Sequence, residues 1–149
     1  PAVMSCYWND PDETSKVMDQ GWLKTGDLAY KTPEGNFVLA GRTTEMYIRG
    51  GYNIFPLEVE SVLNELPLIS EIVIIPKDDE VMGEIGVAVV ALTDMNLALT
   101  LDDLRSYGQE KLAAYKLPES ILFVDSIPRN ATDKIDRRKL KDLVKEKLG

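Results

Sequence analysis

Apolar and polar positions along the chain change period several times, and each change marks an element. Asn9-Asp10-Pro11-Asp12 is a turn signal, and a short helix is expected over 13–19. Residues 22–30 form an apolar run broken at Gly26, read as an interrupted strand. Pro33-Glu34-Gly35-Asn36 places proline and glycine where turn geometry uses them, and 37–40 is the returning strand, so 22–41 predicts a hairpin. Segments 45–49 and 52–55 flank Gly50-Gly51 and predict a second, smaller hairpin. Pro56 suits the first turn of a helix whose apolar face is Val59, Val62, Leu63 and Leu66. Segments 69–76 and 85–93 are dense in isoleucine and valine and read as buried strands joined by a loop at 78–83. Thr100 with Asp103 is a capping-box-like start for a helix to about residue 114, with aspartate in place of the usual Glu or Gln. A third strand at 121–124, a polar loop at 128–134 and a final helix at 136–148 follow; Leu140, Leu143, Val144 and Leu148 share one side of that helix. From residue 44 onward the mixture predicts a small α+β domain with a mostly antiparallel, helix-covered sheet.

Composition narrows what such a domain can do. The 149 residues, 44% of them hydrophobic, suffice for one ordinary domain with a core and an appended element. Net charge is −8, and both a general nucleic-acid binder and a membrane-surface binder need a basic footprint instead. The charge is unevenly spread. Residues 1–127 carry nine basic and twenty-one acidic groups, whereas 128–149 carry eight basic and four acidic. A basic tail on an acidic body can meet an anion or an acidic neighbour, and a solvated terminal helix explains it equally well. Cys6 is the only cysteine, which precludes an internal disulfide and suits a reducing, cytoplasmic setting. With no histidine, Ser-His and Cys-His chemistry and His-based zinc sites are excluded within the chain. No apolar run reaches transmembrane length and no secretory signal is visible. The chain opens Pro1-Ala2-Val3 without methionine, as an excised fragment would.

Four segments could carry chemistry, and each has a plainer explanation. Asp27, in Thr25-Gly26-Asp27, could accept two hydrogen bonds from a ribose diol; a bulge holding a polar residue is the commoner meaning of such a triplet. Arg42, after Gly41, could clamp a phosphate or ribose, or form a surface salt bridge. Gly50-Gly51-Tyr52-Asn53 makes a corner without side chains at its two glycines, which admits a thin ligand or simply turns a hairpin. Lys134, at the end of a polar loop beginning at Pro128, could neutralise charge on a reacting phosphate and carboxylate, though most exposed lysines do nothing of the kind.

Taken in order, these segments are more specific than any one of them. Trp22-Leu23-Lys24-Thr25-Gly26-Asp27, then Gly41 through Asn53, then Pro56-Leu57-Glu58-Val59-Glu60, then Pro128 to Leu140 closely resemble the adenylate-forming superfamily, as does Tyr7 through Thr14 upstream. The resemblance covers essentially the whole chain and points to the acyl-CoA synthetases. It implies that 1–41 is the end of a large domain and 42–149 a mobile C-terminal lid, so that the first hairpin is a remnant of a larger fold. Members activate a carboxylic acid with ATP to an acyl-adenylate, and a thiol such as CoA then displaces AMP. By this match Asp27 holds the ribose hydroxyls, Arg42 contacts the ribose or phosphate, and Lys134 bridges the α-phosphate and the acyl carboxylate. Thr44 falls on the hinge, and rotation about it withdraws Lys134 and brings Gly50, Gly51, Tyr52 and Asn53 to the site as a channel for pantetheine. ATP, CoA and Mg2+ are the implied cofactors, bound mainly by the large N-terminal domain, which is the expected partner alongside the carboxylic acid substrate; a homodimer is compatible with this.

The glycine pair with Asn53, Pro56 and Glu58-Val59-Glu60 looks more like fatty-acyl-CoA synthetases than peptide-synthetase domains, and favours a medium- or long-chain acid. The chain departs from the family pattern at three points: Thr44 replaces the usual aspartate or lysine, Ile48 stands where luciferase-like members have lysine, and Asp133 precedes Lys134 where glycine is usual. The family's phosphate loop is not in this sequence, so the chain alone is expected to be inactive in adenylation. Two competing readings are a stand-alone interaction or dimerisation module and a degenerate, inactive synthetase.

Overall fold

The computed structural model describes residues 2–94, 96 and 98–149. Over these the chain divides into two compact units, the first ending at Thr44 and the second spanning Glu45–Gly149.

In the first unit, Asp10 caps helix α1 (Pro11–Val17) by accepting from the Glu13 amide at 2.9 Å, with proline at the first helical position. The helix stops two residues short of the expected end because Met18–Asp19 (β1) pairs antiparallel with Trp22–Leu23 (β2) across Gln20 and Gly21, both at positive φ. The run 22–30 does not stay one strand. Gly26, at φ 77°, breaks it, and the second part is β3 (Asp27–Lys31). Strand β4 (Phe37–Arg42) returns antiparallel to β3, with a bulge between Leu28 and Ala29. This unit has no core: Gly41 is its only buried residue among those described, and β3 is exposed along its whole length. Trp8 is 95% exposed, Trp22 80% and Phe37 75%, an apolar display that isolated stable domains rarely make.

The second unit is a three-layer α+β structure, as the pattern predicts. Strands β5 (Tyr47–Arg49) and β6 (Tyr52–Ile54) form the small hairpin; Gly50 and Gly51 both have positive φ (54° and 85°), as a two-residue primed turn demands. Helix α2 (Pro56–Leu63) leads to the long antiparallel pair β7 (Ile69–Asp79) and β8 (Gly83–Leu92). The expected 78–83 loop shrinks to three residues because the Asp79 carboxylate accepts from the Val81 and Met82 amides and the ladder continues beneath it. Strand β8 is central. Its second edge takes β5 at Gly83 and then, in parallel, β9 (Ser120–Phe123), the one parallel pairing in the sheet among the described residues.

Alternation along β7 and β8 sends side chains to both faces, and both are covered, so these strands read as nearly unbroken apolar runs. Ile72, Ile74, Ala88 and Val90 pack with Val59 and Leu63 of α2 and Leu104 of α3 (Leu101–Gln109). Val73, Ile75, Val87 and Val89 pack with Leu140 and Val144 of α4 (Arg137–Leu148). Each valine, leucine or isoleucine among them, where fully buried, contributes about 1.5–3 kcal/mol relative to exposure. The Thr100–Asp103 capping box forms in full. Helix α3 nevertheless ends at Gln109, not near 114; its last turn contains Gly108, a weak helix former, and a 3-10 turn at Ala114–Lys116 follows. No helix among the described residues is long and apolar enough to cross a membrane.

One packing contact yields a stability prediction. A Cβ at Gly86 would overlap the buried Tyr47 hydroxyl and lie 3.3 Å from Ile74 Cγ2. That hydroxyl has no hydrogen-bond partner among the described residues, and burial pushes its pKa up to about 12. Gly86→Ala is therefore expected to cost about 1–3 kcal/mol in urea denaturation, as overpacking does. Tyr47→Phe should recover part of that loss in the double variant; additive effects would contradict the contact.

Candidate functional site

In the first unit the β3–β4 register sets Asp27 directly opposite Arg42, so two residues fifteen apart become neighbours. Arg42 Nε donates to Asp27 Oδ1 at 2.6 Å, and this bond is the main cause holding the Asp27 carboxyl below the ordinary carboxylate value. The pair lies at the end of the ladder beside Gly26, whose carbonyl accepts from the Thr43 amide at 2.9 Å. Both the ion-pair and the bulge explanations are thus true of the structure: the bulge falls one residue beyond Asp27, and the salt bridge forms. A carboxylate and a guanidinium side by side in solvent remain suited to a diol next to a phosphate. Thr44, the last residue of this unit, is exposed.

In the second unit two candidate regions lie at opposite ends of the β7–β8 ladder. At the hairpin end, the Gly50 amide donates to the Met82 carbonyl at 2.8 Å, which fixes the glycine corner against the β7–β8 turn. Open space surrounds the position a Gly51 side chain would occupy, with nothing within 4 Å. Tyr52 stacks on Tyr115 at 4.4 Å between ring centres, while Asn53 is exposed and opposite Ile48. The other region is the loop bearing Lys134. Glu71, whose salt bridge to Arg129 ties this loop to β7, stands eight residues along that strand from Asp79, roughly 26 Å at the rise of a β-strand.

The Lys134 loop is tightly built. A bridge between Arg129 and Ile135 closes it, and the Asn130 amide donates to the Lys134 carbonyl at 2.8 Å. Asn130 Oδ1 accepts from the Thr132 amide, the Thr132 hydroxyl and the Lys134 amide at 2.9, 2.8 and 3.1 Å. Asp133 has φ 60°, a left-handed conformation that asparagine, aspartate and glycine tolerate best, which accounts physically for aspartate where the family usually has glycine. The Lys134 side chain is exposed, and no hydrogen bond or ion pair engages its ammonium among the described residues.

A buried ionic cluster joins α2, β7 and the start of α4. Glu60 on α2 is 8% exposed and accepts from the Ile74 amide at 2.8 Å. Arg137, at the start of α4, donates to Glu60 at 3.1 Å, to the Ile74 carbonyl at 3.2 Å, and pairs with Glu45 at 3.2 Å. The available signal was a carboxylate on an otherwise apolar helical face of Pro56, Val59 and Leu63. Burial raises the Glu60 carboxyl above its ordinary 4.5, partly offset by Arg137. The folded protein then binds this proton more tightly than the unfolded chain. Glu60's favourable contribution is present below pH 4.5 and is lost as pH rises through its folded value. The stability of the wild type relative to Glu60→Gln should accordingly fall as pH increases from about 4.5, then level off. A difference that rises with pH in denaturation experiments would mean that Arg137 outweighs burial.

With this geometry in hand, comparison with known proteins is decisive about ancestry. The family model of the AMP-binding enzyme C-terminal domain matches residues 58–134, from α2 through Lys134. The chain belongs to that family. It is 43% identical over 94% of its length to a long-chain-fatty-acid–CoA ligase of Bacillus subtilis, and 37% identical over 99% to an indoleacetate–CoA ligase of Aromatoleum aromaticum. The solved o-succinylbenzoate CoA synthetase of Bacillus subtilis, in complex with its acyl-adenylate intermediate, superposes with a TM-score of 0.84 at 37% identity, covering 94% of this chain. The chain spans 25% and 29% of the two relatives' lengths and 28% of that structure. Among the described residues, no group of three or more acidic, histidine or cysteine side chains is placed to hold a metal ion.

Proposed function

We propose that the chain is the C-terminal portion of an ATP-dependent acyl-CoA synthetase, with residues 1–41 closing its large domain and 42–149 forming a lid that turns about Thr44. The observation that carries this reading is the separation within the second unit: a free ammonium at one end of the β7–β8 ladder and a side-chain-free corner at the other. A single rigid body can present only one of these ends to a site at a time. Turning it exchanges one for the other, as two successive half-reactions require. Lys134 stabilises charge while the acyl-adenylate forms; the Gly50-Gly51 corner, with Tyr52 and Asn53, admits the pantetheine arm of CoA afterwards. Asp27 takes the ATP ribose hydroxyls and Arg42 the ribose or α-phosphate. Mg2+ is assigned to the large domain on the family resemblance; among the described residues no group of three or more acidic side chains is placed to hold it.

The bare aromatic display of the first unit supports its place as the edge of a larger core. A fatty acid is the favoured substrate on the sequence pattern of 50–60 and on similarity to the long-chain-fatty-acid–CoA ligase. Relatives named for indoleacetate and 2-succinylbenzoate are nearly as similar, so the acyl class is read by experiment. Acid-dependent ATP–pyrophosphate exchange by the complete protein, run over fatty, aryl-acetic and aryl-dicarboxylic acids, tests the proposal. Exchange with medium- or long-chain acids, followed by CoA thioester formation, is expected. Exchange with an aromatic acid alone would move the substrate class but keep the enzyme class. Absence of exchange with every acid would favour the degenerate synthetase.

A further inference from the structure

Lys134 is held by one peptide plane. The carbonyl of Asp133 and the amide of Lys134 belong to the same rigid unit, so gripping both ends fixes that plane; with the Lys134 carbonyl also held by the Asn130 amide at 2.8 Å, the root of the lysine side chain is set. Asn130 Oδ1 grips the amide end at 3.1 Å. Arg129 grips the carbonyl end: its Nη1 donates to the Asp133 oxygen at 2.9 Å, while Nη2 donates to Glu71 on β7 at 2.6 Å. The guanidinium thus ties the loop to the sheet through two separate nitrogens, a geometry that a planar fork provides and an ammonium does not. Its Nε also lies 4.0 Å from the Asp133 carboxylate and faces the charge that would otherwise stand alone beside Lys134.

The pair is not placed to hold the fold together. Arg129 and Glu71 side chains are 41% and 31% exposed, where an ion pair adds little to stability. Asp133, by contrast, sits in the left-handed region, which aspartate tolerates better than most residues but holds less readily than glycine. We propose that Arg129, anchored by Glu71, is a positioning residue for adenylate formation: it holds the Asp133–Lys134 peptide so that the lysine ammonium arrives at the reacting oxygens. This rests on the assignment of Lys134 to that half-reaction.

The test uses the complete enzyme and four variants, Arg129→Ala, Arg129→Lys, Glu71→Gln and Lys134→Ala. Each is assayed separately for acyl-adenylate formation and for thioester formation from preformed acyl-adenylate. Arg129→Ala should lower kcat for adenylate formation roughly 10- to 100-fold, as displacements of about 1 Å do, with little change in KM for ATP. Thioester formation should stay within about twofold of wild type, and the melting temperature within about 2 °C, since an exposed pair is removed. Arg129→Lys should recover part of the loss and Glu71→Gln should show a smaller one. If Lys134→Ala abolishes adenylate formation while Arg129→Ala leaves it intact, the brace is wrong and the Lys134 assignment stands. Parallel loss of both half-reactions with a large drop in melting temperature would reduce Arg129 to a structural residue. A harmless Lys134→Ala would overturn the brace together with the assignment beneath it.

Discussion

Lys134→Ala in the complete enzyme is expected to slow acyl-adenylate formation by roughly 10²–10³-fold, the usual effect of deleting one preorganised charge or donor at a reacting oxyanion. The side chain is exposed and its ammonium engages no other described residue, so truncation removes no structural contact. The loop keeps its shape, because Asn130 and the Arg129–Ile135 bridge hold the Lys134 backbone and not its side chain. Whatever is lost is therefore chemistry. During adenylation a carboxylate approaches a triphosphate, and like charges must be brought together. In thioester formation a thiol attacks an acyl-adenylate whose charge is already lower, and under the proposed lid rotation the lysine is withdrawn. ATP–pyrophosphate exchange should accordingly collapse while thioester formation from preformed acyl-adenylate persists. Equal losses in both would disconnect Lys134 from the first step.

The second large effect is on stability. Arg137→Ala should destabilise the second unit by about 3 kcal/mol, the lower end for breaking a buried ion pair, since Arg137 keeps 24% of its side chain exposed. The loss comes from what the arginine leaves behind. Glu60 would face the core with only the Ile74 amide, and the Ile74 carbonyl and Glu45 would each lose a donor. Adding Glu60→Gln to Arg137→Ala removes the stranded charge and should restore roughly half of the loss, because an uncompensated buried charge is the larger part of such penalties. Urea denaturation of the single and double variants reads this coupling. Additive losses would show that the two side chains do not act as a pair.

Local signals in this sequence transmitted well where one interaction decides the outcome. Pro56 at the head of α2, the Thr100–Asp103 capping box and the Gly50-Gly51 turn all formed as their residue types dictate. The dense valine and isoleucine of β7 and β8 announced buried strands, and the structure covers them on both faces, so no polar face had to be supplied. Element ends were less legible, since they depend on partners far along the chain. Met18 and Asp19 have no strand signature of their own and join a ladder only because Trp22 and Leu23 turn back onto them. The same holds at the candidate site. Asp27, Arg42 and Lys134 could be picked out from ordered motifs, but the Arg129–Glu71 brace joins residues 58 apart and the Glu60–Arg137 pair residues 77 apart. Such contacts are products of the sheet, and no spacing in the sequence announces them.

One rigid unit is proposed to serve two half-reactions with opposite ends. Single-turnover rates of the two half-reactions, measured on the complete enzyme carrying either Lys134→Ala or Gly51→Asn, test it directly. Asparagine tolerates the positive φ of 85° at residue 51 and fills the open space there. Opposite defects are expected: Lys134→Ala loses adenylate formation and keeps thioester formation, while Gly51→Asn keeps the first and loses the second by at least about tenfold, a modest effect for an obstructed site. Both variants failing in the same half-reaction would contradict it.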